Sequence, residues 1–239
     1  TVEKMKKTMI KKHEQILSYG RFGSTTTFKF EQAISDLEGS HTTVATSSGT
    51  AAIVSSLMST LKNGDHLLMT DSAYGVSKEL ANNLLKKMGI TTTFYDPLLG
   101  KNIAKLIKNN TKVIYLESPG SLTFEIQDIP QIIDIAKKNK CTTIIDNTWA
   151  TPLYFKPFEH GIDISIQAAT KYINGHSDSM LGTISSNKEY AKIIREVTHS
   201  LGACPGPEDI YLGLRGLKSL KIRLEQHKYN AIKIIDWLT

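Results

Sequence analysis

Cysteine is scarce in this chain. Cys141 and Cys204 are the only two, and their separation fits neither a metal-ligand pair nor a disulfide framework, so no metal is expected. A P-loop, a dinucleotide glycine fingerprint, a Gly-x-Ser-x-Gly elbow and a zinc-binding helix motif are all missing, which removes the common routes to nucleotide binding and to serine or zinc hydrolysis. No apolar run approaches the roughly 20 residues needed to cross a bilayer, and none reads as a signal peptide, so the expectation is a cytoplasmic protein without membrane contact. Aromatic residues are few, at 8%, and do not interleave with basic ones. The formal charge of +6 therefore reads as solvated lysines on helix faces, as in 101–108 and 137–140, and no nucleic-acid partner is expected. A small anionic ligand would still gain from the positive balance.

What is present is an ordinary core-forming composition, 40% hydrophobic and 22% charged over 239 residues. Apolar or β-branched runs at 66–70, 90–95, 112–117, 142–146, 162–167 and 182–186 read as strands, and the segments 50–61, 75–88, 101–109 and 128–139 between them have helical patterns. The alternation predicts an α/β fold, a mostly parallel central sheet with helices on both faces. Residues 2–17 carry an amphipathic helical pattern and 18–24 an exposed polar loop. Past the break at Gly202–Pro207 a helix is expected near Glu208, and 214–238 keeps apolar residues on helical spacing. The organisation expected is a helix and loop over 1–40, a ligand-binding domain over 41–206 and a connecting helix over 207–239. The chain opens on Thr1 and stops at Thr239 inside a helical pattern, so a segment of a longer polypeptide, or the product of a shortened gene, is expected.

Several residues have chemistry to offer. Thr143-Ile144-Ile145-Asp146 puts a carboxylate at the carboxyl end of a buried strand, the edge where open α/β sheets bind ligands; Asp146 either faces a cation there or caps the next turn. Ser47-Ser48-Gly49-Thr50 leads into a helix whose first N–H groups suit a phosphate, though most such helix starts bind nothing. Lys171, in Ala168-Ala169-Thr170-Lys171-Tyr172, follows a strand into the same crevice; a buried lysine there would be a nucleophilic amine, and a surface lysine is the plain alternative. Thr170 adds a hydroxyl suited to a phosphate. Tyr74 follows another strand and either stacks on a planar ring or packs in the core. Tyr19 and Arg21 sit in the exposed loop, where a guanidinium suits a phosphate or carboxylate. His176 and Asp178, with no nucleophile in their sequence context, read as structural.

In order along the chain, these segments resemble the Cys/Met-metabolism family of pyridoxal-phosphate enzymes of fold type I. The motifs are Ile145-Asp146-Asn147-Thr148, Ala169-Thr170-Lys171-Tyr172 and Gly175-His176-Ser177-Asp178, and the similarity covers essentially the whole chain. Within the family the β-lyase branch acting on cystathionine is most similar, through Tyr19-Gly20-Arg21-Phe22-Gly23, Trp149 and Ala168. The γ-synthase and γ-lyase branches, and a non-catalytic remnant of a split gene, stay open as alternatives. The resemblance implies pyridoxal 5'-phosphate as cofactor, Lys171 as Schiff-base lysine and Cα base, Asp146 at the pyridine nitrogen and Tyr74 stacked on the ring. It further implies Gly49, Thr50 and Thr170 at the phosphate. Tyr19 and Arg21 would reach a neighbouring subunit's cofactor, hence a homo-oligomer, dimer or tetramer, with shared sites. The family's smaller C-terminal domain, with its carboxylate-binding arginine, is expected to be missing.

Overall fold

The computed structural model describes residue 17 and residues 19–239. The amphipathic pattern of 2–17 thus lies outside the described residues, apart from Leu17. The strands are β1 Thr42–Thr46, β2 His66–Thr70, β3 Thr91–Tyr95, β4 Thr111–Glu117, β5 Thr142–Asp146, β6 Ile164–Gln167 and β7 Gly182–Ser186. They form one sheet in the order β1-β7-β6-β5-β4-β2-β3. All neighbouring pairs from β6 to β3 are parallel, and β7 runs antiparallel to both β1 and β6.

Because side chains alternate across a strand, each central strand feeds two cores. Leu67, Met69, Val113, Tyr115 and Ile144 face one side and meet Ala52, Ile53 and Leu57 of helix α2, Gly49–Thr60. Leu68, Ile114, Leu116 and Ile145 face the other and meet Ile129, Ile132, Ile133 and Ala136 of α4, Ile129–Lys138. Helix α3, Gly75–Leu80, lies between these two in sequence and continues into a π-helical turn, Ala81–Leu85, so the expected helix 75–88 changes its winding midway. The helix expected at 101–109 is a 3-10 segment, Gly100–Leu106. Short helices α5 Thr151–Tyr154 and α6 Pro157–His160 join β5 to β6, and α7 is Ala191–Ser200. The pattern at 214–238 belongs to two helices, α8 Pro207–Leu217 and α9 Leu220–Leu238, separated at Lys218-Ser219.

Two elements escape the apolar patterns because polar contacts build them. Helix α1, Thr25–Glu38, starts at Ser24, whose side chain accepts the Thr27 N–H while Thr27 answers in kind. Strand β1 carries three threonines; the Thr43 hydroxyl lies 2.8 Å from both Ser35 and Ser185. A buried ion pair, Arg195–Glu31 at 3.1 Å, ties α7 to α1, and Arg195 also donates to the Thr43 carbonyl at 2.8 Å.

Glu38, at the end of α1, is fully buried under β6. Its Oε1 accepts from Gln167 at 2.8 Å and Ser165 at 3.3 Å, while Oε2 has no partner among the described residues. Burial pushes the carboxyl up to about 7, against the pull of those two donors. A carboxyl that binds its proton more tightly in the folded state stabilises the fold most at acid pH, and that contribution is lost as pH rises towards the folded value. Urea unfolding should show Glu38→Gln gaining about 2–3 kcal/mol on the parent chain between pH 5 and pH 8. A difference that does not change with pH would contradict the assignment.

Candidate active site

Strands β4, β5 and β6 end at one edge of the sheet, on Glu117, Asp146 and Gln167. The carboxyl edge of a parallel sheet opens a crevice, because each strand's outgoing loop leaves it there. Here the crevice is a cavity of about 1030 Å³ whose lining includes Gly49, Thr50, Tyr74, Asp146, Thr170 and Lys171. Tyr19 and Arg21 are not among its lining residues. Tyr19 is exposed, and Arg21 lies over the Phe22 ring, 4.6 Å from its centroid, and donates to the His199 carbonyl.

On one side stands the N-terminus of α2. Ser48 caps it by accepting the Ala51 N–H at 3.0 Å, which leaves the N–H groups of Gly49 and Thr50 without an acceptor in a preceding turn. A Cβ on Gly49 would stand 2.7 Å from the Cβ of Ala168 and 3.0 Å from its Cα, so only glycine lets this helix start against the turn after β6. The Tyr74 side chain is 46% exposed, which excludes the core-packing reading. Its backbone N–H donates to Glu117 Oε2 at 2.7 Å.

Asp146 is buried and accepts the Thr148 N–H at 3.0 Å. Its register partner on β4 is Glu117, so two carboxyl groups end adjacent strands. Burial raises the pKa of both. For Glu117 the negative charge of Asp146 adds to burial and the Tyr74 N–H opposes it, leaving the group at about 8. Among the described residues neither forms an ion pair. Glu117 shares the signature of Asp146, since Val113-Ile114-Tyr115-Leu116-Glu117 is also an apolar run closed by a carboxylate.

Lys171 lies beyond β6 in a turn that carries its side chain to the cavity mouth, exposed rather than buried. The Thr170 hydroxyl accepts the Leu181 N–H at 2.9 Å and donates its single proton to the Leu181 carbonyl at 3.0 Å. Thr170 can thus donate to a phosphate only by turning that hydroxyl. Two further hydroxyls line the cavity: Thr148, the last residue of the Ile145-Asp146-Asn147-Thr148 motif, accepts the Ala168 N–H at 2.7 Å, and Ser179, which gave no signal in sequence, has a buried Oγ without a partner among the described residues. His176 and Asp178 do serve structure: the His176 ring meets the Asn174 carbonyl at 2.7 Å, and Asp178 binds Asn174 at 2.8 Å and Arg215 at 2.6 Å.

The family model for Cys/Met metabolism PLP-dependent enzymes matches residues 1–239. The chain belongs to that family. It is 44% identical to the cystathionine beta-lyase of Haemophilus influenzae over 93% of its length, and 42% identical to cystathionine beta-lyase MetC of Escherichia coli over 93%. Among solved structures, metB of Corynebacterium glutamicum superposes over 92% of the chain with a TM-score of 0.90 at 33% identity. The chain spans 57% of the length of each of those two relatives and 58% of that structure.

The cavity fits the cofactor on which this family depends. Unpaired N–H groups at the α2 start suit its phosphate, and the uncompensated carboxyl pair suits a protonated ring nitrogen. Lys171 offers the amine. If the phosphate is held by backbone, Gly49→Ala should weaken pyridoxal-phosphate binding about tenfold by pushing α2 off Ala168, while Thr50→Ala should change it less than about twofold. Fluorescence titration of the two variants reads this directly, and the reverse order would move the phosphate elsewhere.

Proposed function

We propose that this chain carries the cofactor-holding part of a carbon–sulfur β-lyase that takes cystathionine-like amino acids. The observation that carries the reading is the meeting of an amine (Lys171), a buried carboxyl (Asp146) and a helix N-terminus (Gly49, Thr50) in one cavity at the sheet edge. Similarity to relatives named cystathionine beta-lyase supports this substrate class.

Bound pyridoxal 5'-phosphate supplies an electron sink for negative charge at the substrate Cα. Asp146 holds the proton on the ring nitrogen, and its charge is balanced by doing so. The Tyr74 ring, exposed at the cavity wall, offers a face for stacking. The N–H groups of Gly49 and Thr50 bind the phosphate, with Thr170 beside them. Lys171 Nζ takes the proton from Cα, and a thiolate leaves from Cβ as the C–S bond breaks. For cystathionine the thiolate takes up a proton as homocysteine, and the three-carbon remainder reacts with water to give pyruvate and ammonia.

Tyr19 and Arg21 lie away from their own chain's cavity, which supports their serving a second copy in a homo-oligomer with shared sites. The cytoplasm is the compartment that fits this chemistry.

The test is pyruvate release from cystathionine by the chain loaded with cofactor. Lys171→Ala should lower it by at least about 10³-fold, as loss of a general base does. A Lys171→Ala chain as active as its parent would sink the assignment, and 2-oxobutyrate in place of pyruvate would move the reading to a γ-lyase.

A further inference from the structure

Lys171 Nζ has no hydrogen-bond or ion-pair partner among the described residues. The amine is placed only by the main chain of its turn, which must therefore be held by something else. Within the turn, the Lys171 N–H donates to the Ala168 carbonyl at 2.9 Å and the Lys171 carbonyl accepts the Gly175 N–H at 2.7 Å. The carbonyls of Tyr172 and Ile173 face the corner between α8 and α9, and there they meet Arg223.

Arg223, in the first turn of α9, is half-buried and uses its guanidinium as a fork. One arm donates to the Tyr172 carbonyl at 2.8 Å. The other reaches the Ile173 carbonyl at 3.3 Å and the Gly216 carbonyl, near the end of α8, at 3.0 Å. Nε donates to the Ser219 hydroxyl at 3.0 Å, so one side chain spans the turn, the end of α8 and the start of α9. Two glycines make the fit close. A Cβ on Gly175 would stand 2.1 Å from the guanidinium, and one on Gly216 would stand 2.3 Å from the Ile173 carbonyl oxygen. Arg215 of α8 grips the far end of the segment through Asp178.

We infer that Arg223 is the positioning residue for Lys171: it fixes the turn from Tyr172 to Gly175 against the α8–α9 corner, so that the amine sits at the cavity mouth only while α9 is seated. The inference rests on the reading of Lys171 as the cofactor-binding amine. Arg223 itself touches no reacting atom in this role. It acts through the main chain, and a flexible lysine ammonium, with no planar fork, cannot replace it. Whatever moves α9 is thereby coupled to the reactivity of Lys171.

The test compares the full chain with Arg223→Met and Arg223→Lys, with thermal unfolding as the control for fold. In the cofactor-free proteins, amide exchange over residues 169–176 should rise at least about tenfold in Arg223→Met, with exchange in β4 and β5 unchanged. On addition of pyridoxal phosphate, borohydride reduction and peptide mass mapping should show capture at Lys171 slowed at least about tenfold, with Arg223→Lys recovering less than half of the loss. A folded Arg223→Met chain within twofold of the parent in both measurements overturns the inference. Should Arg223→Met fail to fold, Arg223→Lys decides by the same twofold limit. If the parent chain captures no cofactor at Lys171, the cofactor reading fails, while the exchange comparison still decides whether Arg223 holds the turn.

Discussion

Asp146 and Glu117 close adjacent parallel strands side by side, the first buried and the second half-buried at the cavity, and no described cation pairs with either. Two carboxyl groups in such a place cannot both be ionised at small cost: burial raises the proton affinity of both, and the charge of Asp146 raises that of Glu117 further. The arrangement is tolerable because Glu117 holds its proton to about pH 8 and because the Tyr74 N–H stabilises one of its oxygens. It leaves one position in the cavity where a protonated heterocycle would relieve the remaining charge. The rest of the site is arranged around that position: the start of α2 on one side, Tyr74 at the wall and the Lys171 turn at the mouth.

Parallel topology makes this possible. Strand β1, antiparallel to β7, runs the same way as β2 to β6, so all six deliver their outgoing loops to one edge, and residues as far apart in sequence as Gly49 and Lys171 line one cavity. The apolar faces of those strands pack on both layers of helices, which fixes the edge rigidly. The glycines then set how closely its parts approach, at Gly49 against Ala168 and at Gly175 under Arg223.

The parallel core was legible because β2, β4 and β5 are buried on both faces and so read as short apolar runs. β1 and α1 were not: Thr43, Ser35 and Glu31 make their contacts by hydrogen bonds that no hydrophobic period reports. The 3-10 and π-helical segments share a helical pattern with the expected α-helices, so only the backbone separates them. In the cavity, Asp146, Lys171 and the Ser48-Gly49 start each carry only a weak local signal, and it is their combination in order along the chain that singled them out. Arg223 had none, since its partners are backbone carbonyls some 50 residues away in sequence. The exposure of Lys171 agrees with the plain surface-lysine alternative that its sequence context left open.

The central claim, that this cavity binds pyridoxal phosphate through Lys171, is tested most directly by the absorbance spectrum of the purified chain after loading and removal of excess cofactor. A band at about 420 nm that disappears in Lys171→Ala is the predicted result. A folded parent chain without that band, or a Lys171→Ala chain that keeps it, would contradict the account.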